Sequence, residues 1–522
     1  MSLTIDPRTP VVVGVGQAAE RIDDAYYRGM SAVELATAAA RAALDDCGAA
    51  VATVAAAIDT VAGVRQFEIS GPVATAPLGR SNNYPRSVAN RIDADPARAI
   101  LEIVGGQSPQ HLINELAGEI AAGRSDVALI FGSDATSTNR YFAAADNPPD
   151  FSETVEGTLE DRGPGIEALI SRYTVVHGLI DAPTQYGLME NARRAGTGLG
   201  PAEYLRRMGE LFAPFTTVAA GNPFAAAPVE RTVEELITVT ERNRMIAEPY
   251  PRLLVARDQV NQGAAALLMS VESARKLGVP EENWVYLHGH ADLEEQSLLD
   301  RPDLGHAPSA VLAVREALAV AGIGIDEIAT FDLYSCFPVP VFNICDGMGI
   351  APDDPRGLTL TGGLPFFGGA GNNYSMHAVA ETVAKMRSCP GQFGLVGANG
   401  GIMSKYSVGI YSTTPVEWKP DGSARLQAQI AAAPTQPVTE HADGPATVET
   451  YTVRRDGGRP TGIIVGRLDA DDSRFLATTE DTDLIALLIA GDPLKQPVWV
   501  RSFDYGNRCY LPTASLPASR ST

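Results

Sequence analysis

The chain is poor in positive charge. It has 41 cationic side chains in 522 residues, only five of them lysines, against 63 Asp and Glu, so the net charge is −22. A surface this acidic repels phosphate backbones and anionic lipid, which argues against nucleic acid and membrane surfaces as partners. Cysteine is scarce as well. Cys47, Cys336, Cys345, Cys389 and Cys509 form no CxxC pair and no Cys/His cluster at ligand spacing, so the sequence offers neither a disulfide framework nor a metal site. No apolar run reaches the ~18–20 residues that span a bilayer. No basic segment followed by an apolar stretch opens the chain, and a cytoplasmic location is expected. GxGxxG and Walker sequences are missing, which removes the best support for dinucleotide and nucleoside-triphosphate sites.

What is present is ordinary for a globular protein: 45% hydrophobic and 20% charged residues. At ~100–200 residues per domain this length predicts roughly three packing units. Arginine in place of lysine, with abundant Ala, Gly and Pro, is the usage of a GC-rich bacterial coding sequence.

Pro10–Gln17 is an apolar, β-branched run that reads as a buried strand. Ser31–Leu44 reads as a helix, with Ser31 at the N-cap, Glu34 completing a capping box and Gly48 as the stop; Ile58–Gly63 follows as a strand. The same order returns 278 residues later, where helix Ser309–Ala321, Gly322 and Gly324 precede strand Ile328–Tyr334. Two βα-rich halves related by duplication are therefore expected. Further strands are predicted at Asp126–Phe131, Gly263–Ser270 and Phe393–Gly397, alternating with helices, as in layered α/β folds with partly parallel sheets. Between Thr136 and Arg257 the texture turns to mixed aromatics, Pro, Arg and acids, which reads as a long helical insertion covering a cleft. Beyond Thr414, a linker-like Ala433–Pro437 leads to alternating runs at Ala446–Val453, Thr461–Leu468 and Pro497–Arg501, a small and mostly β appendage.

Four loops stand where α/β proteins place ligands: Val104-Gly-Gly-Gln-Ser-Pro-Gln-His-Leu-Ile113, Asp332-Leu-Tyr-Ser-Cys-Phe-Pro338, Thr361-Gly-Gly-Leu-Pro-Phe-Phe-Gly-Gly-Ala-Gly-Asn-Asn-Tyr-Ser-Met-His377 and Gly397-Ala-Asn-Gly-Gly-Ile-Met-Ser404. Their glycines allow close backbone approach and present N–H donors. Their order and spacing resemble the thiolase superfamily, most closely its sterol-carrier-protein-type thiolase-like branch, over about residues 8–415. Asn243–Ala247 followed by Asp258–Leu268 resembles that family's exit from the loop domain into the next core strand, and Gly394–Gly401 its final catalytic loop.

The resemblance implies an α/β fold: a duplicated βαβ core in αβαβα layers, a helical loop-domain insertion, and an extra β-rich C-terminal domain. It divides the chain into an N-terminal half at 1–270, with the insertion at about 136–257, a C-terminal half at 271–415, and an additional domain at 416–522. The implied function is acyl-CoA acyl transfer of the acetyl-CoA acetyltransferase type in lipid metabolism, with coenzyme A or acyl-CoA as ligand, no covalently bound cofactor, no metal, and a homodimer as in thiolases.

Position by position the catalytic set departs from the family. The nucleophilic Cys falls at Gly106, the acid/base Cys at Ala398, and the Gly-His-Pro His is supplied neither at Gly368–Ala370 nor near Gly371–Asn372. The loop carrying Tyr334-Ser-Cys-Phe337 keeps Cys336 and Phe337, with Tyr334 in the place of the water-binding Asn or His. The candidate site residues are therefore Cys336, His377, Tyr334 and Asn399, with Ser335, Asn372, Asn373 and Tyr374 around them. Cys336 and His377 are a candidate thiol/imidazole pair; the alternative makes His377 a packed helix residue and Cys336 a small buried hydrophobe. Ser108, beside Pro109, reads as a helix cap rather than a nucleophile. His288-Gly-His290 lacks a nearby third ligand, Asp292–Glu295 reads as a solvated acidic turn, and His111 and His177 show no partner. Two functions are expected from these residues: an altered acyltransferase around Cys336, or a non-catalytic acyl-CoA-binding or scaffold subunit.

Overall fold

The structure is a computed structural model that describes residues 5–71, 75–166, 171–455 and 458–512. The first four residues and the last ten, 513–522, which the sequence reading assigned to the chain's start and to the appendage, lie outside the described residues.

The first half comprises β1 (Pro10–Ala19), α1 (Ala32–Asp46), β2 (Thr60–Gly63), β3 (Arg98–Leu101), α2 (Ser108–Ala121) and β4 (Val127–Asp134). The insertion follows, with α3 (Ala182–Thr197) and α4 (Pro201–Gly221) as its long helices, and the chain returns through β5 (Gln262–Ser270). The second half repeats much of this order, without a counterpart of β3, in β6 (Val285–Glu294), α5 (Pro308–Ala321), β7 (Ile328–Leu333), α6 (Pro338–Met348), α7 (Tyr374–Ser388), β8 (Phe393–Gly400) and β9 (Lys405–Ser412).

Pairing displays the duplication. β5 runs antiparallel to β1 and β4, and β4 parallel to β2. In the second half β9 runs antiparallel to β6 and β8, and β8 parallel to β7. The halves join where β1 meets β6 antiparallel at Val11–Tyr286 and Val12–Val285. The small residues have a packing reason common to both halves. A Cβ on Gly14 or Gly16 of β1 would lie 2.1 Å from a carbonyl oxygen of α1, that of Ala43 or Ala39, and a Cβ on Gly289 of β6 would lie 1.9 Å from Ala317 O on α5. Glycine on the strand and alanine on the helix let each outer helix sit closer to its sheet than larger side chains permit. Ser31 caps α1 with the Glu34 capping box in place. Helices α2 and α7 contribute Leu112, Ile113, Leu116, Val379 and Val383 to a core distinct from those of α1 and of α5 with α6, giving the central layer of the αβαβα arrangement.

The C-terminal segment forms β10 (Gly444–Arg454), β11 (Thr461–Leu468), β12 (Arg474–Thr479), α8 (Thr482–Ala490), β13 (Pro497–Phe503) and β14 (Gly506–Tyr510). Because β10 pairs with both β11 and β13, the five strands close on themselves like a barrel. This sheet also takes in insertion strands Met245–Ala247 and Tyr250–Pro251. Leu179, Leu188 and Leu304 share one core with Ile463, Val465 and Leu476. Ala433–Pro437, linker-like in sequence, is pinned: Gln436 N donates to Asp300 O and Arg474 N to Pro437 O, both at 2.8 Å. No described helix is long and apolar enough to cross a membrane.

Candidate functional site

The central helices begin against each other. Asn372, just before α7, accepts from Gly105 N at 3.0 Å, and Ser375 Oγ of α7 donates to Gly106 O. The nucleophile position of the thiolase pattern thus lies at the meeting of two helix N-termini, where backbone N–H groups favour negative charge. Here that space is filled. A Cβ on Gly106 would lie 2.1 Å from Tyr334 Oη and 2.6 Å from Asn399 O. Tyr334 N donates to Gly397 O, and its ring meets Tyr374 edge-on at 5.4 Å. Behind it Tyr374 donates to Asp332, whose second oxygen accepts from Leu360 N, Thr361 N, Thr361 Oγ1 and Thr359 Oγ1. A Cβ at Gly400 would lie 1.7 Å from Gln107 Oε1, so the present position of that side chain depends on glycine at 400.

Cys336 lies beside this plug, buried, with its Sγ 4.0 Å from Asn399 Nδ2. Burial pushes the thiol up to about 12, against the opposing effect of Tyr186 and Asn399, so at neutral pH it is protonated and a poor nucleophile. Asn399 Nδ2 donates to Tyr186 Oη at 2.9 Å, and Tyr186 stacks on Phe337 at 4.4 Å. The structure therefore brings Tyr334, Cys336 and Asn399 around Gly106.

His377 is engaged elsewhere. Gln17 Nε2 donates to Glu381 at 2.9 Å, which turns Gln17 Oε1 toward His377 Nδ1 at 2.7 Å and fixes the proton on Nδ1. Burial holds the imidazole down at about 3, and its Nε2 has no partner. Ser335 Oγ accepts from Leu364 N at 3.3 Å. Ser108 is the first residue of α2 rather than its cap, and its hydroxyl bonds back to Ile103 O.

Other histidines tie segments together. His288 and His290 bind the carbonyls of Thr414 and Lys419, and His290 stacks on Trp418 at 4.2 Å. His177 joins Tyr173 O to Asn507 N, linking the insertion to the appendage. Asp292 is not in a solvated turn: it lies in β6 and accepts from Asn114 and Ser407. It also faces His111, whose imidazole is lowered by burial but driven overall up to about 9 by the Asp292 carboxylate. Glu102, His111 and Glu115 are a possible metal-ligand group among the described residues, yet Arg162 already bonds Glu102 at 2.6 Å and Glu115 at 2.7 Å. The protein's own cation fills that place.

Sequence reasoning missed Tyr186 and Glu190, one turn apart on α3. Glu190 is fully buried and accepts from Tyr204, Tyr250 and Val339 N at the start of α6. The four-residue spacing was visible, but nothing local marks a glutamate as buried. Burial raises its carboxyl from 4.5 to about 7, despite its three hydrogen-bond donors. The folded state thus holds this proton more tightly than the unfolded chain. Its stabilising contribution is full below about pH 4.5 and is lost as pH rises through about 7. The melting temperature relative to Glu190→Gln is expected to fall across that window, as read by calorimetric scans at several pH values.

A family model for the thiolase-like protein type 1 additional C-terminal domain matches residues 425–504. Among curated proteins none matches the chain. The solved structure titled a monomeric SCP2-thiolase like protein type 1 from Mycobacterium smegmatis is 60% identical, covers 97% of this chain and 100% of its own, and has a TM-score of 0.85. The dimeric peroxisomal thiolase of Saccharomyces cerevisiae is 15% identical over 78% of this chain and 98% of its own, with a TM-score of 0.54. The acetyl-CoA acetyltransferase from Syntrophomonas wolfei is 13% identical over 78% and 99%, also with a TM-score of 0.54. The last two share the fold. On the first, together with the matched additional domain, the chain belongs to the SCP2-thiolase-like protein type 1 family.

Proposed function

We propose that the chain binds acyl-CoA in the thiolase cleft without thiolase chemistry, as a non-catalytic binding or scaffold subunit. Thiolytic or Claisen chemistry needs a thiolate nucleophile and a second acid/base. Here Gly106 has no side chain, Ala398 has no proton to move, Cys336 is held as a thiol, and His377 is bonded to Gln17.

The observation that carries the binding half is a local reversal of charge. Ala256 N donates to Cys336 O at 3.0 Å, and the next residue, Arg257, bonds Leu364 O and Gly369 N through its backbone. Its guanidinium is held below the usual arginine range by burial, then by repulsion from Arg252 and, more weakly, Arg231, against the attraction of the neighbouring Asp258 carboxylate. None of the three makes an ion pair with a described residue. On a chain of net charge −22, three mutually repelling arginines beside the Cys336 loop suit the phosphates of coenzyme A. Calorimetric titration with CoA tests this. The expected result is binding that weakens about tenfold or more in Arg252→Gln/Arg257→Gln and weakens with salt; unchanged affinity in that variant would overturn the assignment. The relative's title describes a monomer, and we take a monomer as the working state in place of the thiolase-type homodimer.

A further inference from the structure

The turn that closes the cleft, Asn399–Ser404, carries a non-glycine residue in the left-handed region, Met403 at φ +46°. Such a conformation persists only where surrounding contacts enforce it, and it concentrates at ligand sites. Two contacts do so here. Met403 N donates to Tyr186 Oη at 3.3 Å, and Arg301 Nη2 donates to Ile402 O at 3.0 Å.

Arg301 is 2% exposed. Its Nε donates to Gln296 O at 2.8 Å, its Nη1 has no partner, and it makes no ion pair with a described carboxylate. The nearby Glu295 carboxylate is committed to Gln296 N and to Ser309 N in the first turn of α5. A buried cation whose one nearby carboxylate, Glu295, is already taken up by two backbone N–H groups is costly and is ordinarily matched by an anion. Burial drives its pKa down to about 10, in keeping with that cost.

The additional domain holds this arginine in place. Arg474 of β12, fully buried, donates through Nη1 to Leu299 O at 2.6 Å and to Arg301 O at 2.5 Å, and is itself fixed by Glu449. The Arg301 backbone is thus clamped from the appendage while its side chain reaches the cleft turn. Ile402, which accepts from Arg301, and the nearby Tyr334 and Cys336 are near-buried, at 9%, 8% and 8% exposure.

We propose that Arg301 is a carboxylate-recognition group, and that the acyl chain taken by this cleft ends in a carboxylate. The inference rests on the acyl-CoA reading above and names its substrate class. One free guanidinium nitrogen beside Ile402 and Met403 suits a compact carboxylate; a tetrahedral phosphate needs donors for three oxygens.

The test compares glutaryl-CoA with butyryl-CoA by calorimetry on the full chain, and free glutarate with its neutral diamide by thermal shift. The wild-type protein is expected to prefer glutaryl-CoA by about tenfold or more, the scale of a charge-assisted hydrogen bond, and Arg301→Gln to lose that preference. Equal binding of the two thioesters, or a preference retained in Arg301→Gln, overturns the proposal and leaves the acyl-CoA reading standing. If neither thioester binds, the acyl-CoA reading fails. The wild-type comparison of free glutarate with its diamide then decides Arg301 alone: a shift with glutarate only supports it, and equal or no shifts overturn it.

Discussion

Gly106→Cys is expected to lose stability rather than gain activity. Its Cβ would lie 2.1 Å from Tyr334 Oη and 2.6 Å from Asn399 O, and the second neighbour is backbone that cannot rotate away. Overpacking a closed core costs ~1–3 kcal/mol and more where the obstacle is rigid. Tyr334→Ala by itself removes a large buried ring, at ~3–5 kcal/mol. Combined, the two changes are expected to cost clearly less than their sum, because the cysteine enters the space the ring vacates. A double-mutant cycle from denaturant unfolding measures that coupling. Additive costs would mean that Tyr334 and position 106 do not compete for one volume.

The second large effect concerns the additional domain. A chain ending at Thr414 is expected to be insoluble or to unfold without a cooperative transition. It loses the partners of Leu179, Leu188 and Leu304 in their shared core. It also loses the Arg474 bonds that satisfy the carbonyls of Leu299 and Arg301, and the Asn507 N–H that His177 accepts. Insertion strand Met245–Ala247 loses its pairing with β10. Buried polar groups left without partners add to the exposed apolar area. Limited proteolysis and a thermal scan of the truncated chain check this; a cooperative melt near that of the full chain would show that the appendage folds apart from the rest.

The duplicated core was legible because its signals are local. A capping box at Ser31–Glu34, alanine on α1 and α5, and glycine at Gly14, Gly16 and Gly289 all follow from one close helix–sheet approach. The loops that meet at the cleft were legible from their glycines and from resemblance. What the sequence could not show depends on contacts between residues far apart in the chain. Tyr334 and Gly106 are 228 positions apart, and only the fold shows the hydroxyl of one occupying the side-chain space of the other. His377 looked like a partner for Cys336 because both flank glycine loops; Gln17, on the central strand β1 and 360 positions away in the chain, holds it instead. Arg301 carried no motif, and its backbone carbonyl is held by Arg474, in a segment that read as an appendage.

The central claim is that this thiolase cleft binds coenzyme A thioesters and does not turn them over. It is tested most directly by following free thiol release from acetyl-CoA and acetoacetyl-CoA in the samples used for calorimetric titration. The account predicts a heat of binding with no thiol release above the buffer rate. Release that is abolished by Cys336→Ala or by His377→Ala would contradict it and place a working nucleophile or base where burial disfavours the Cys336 thiolate and Gln17 bonds the imidazole.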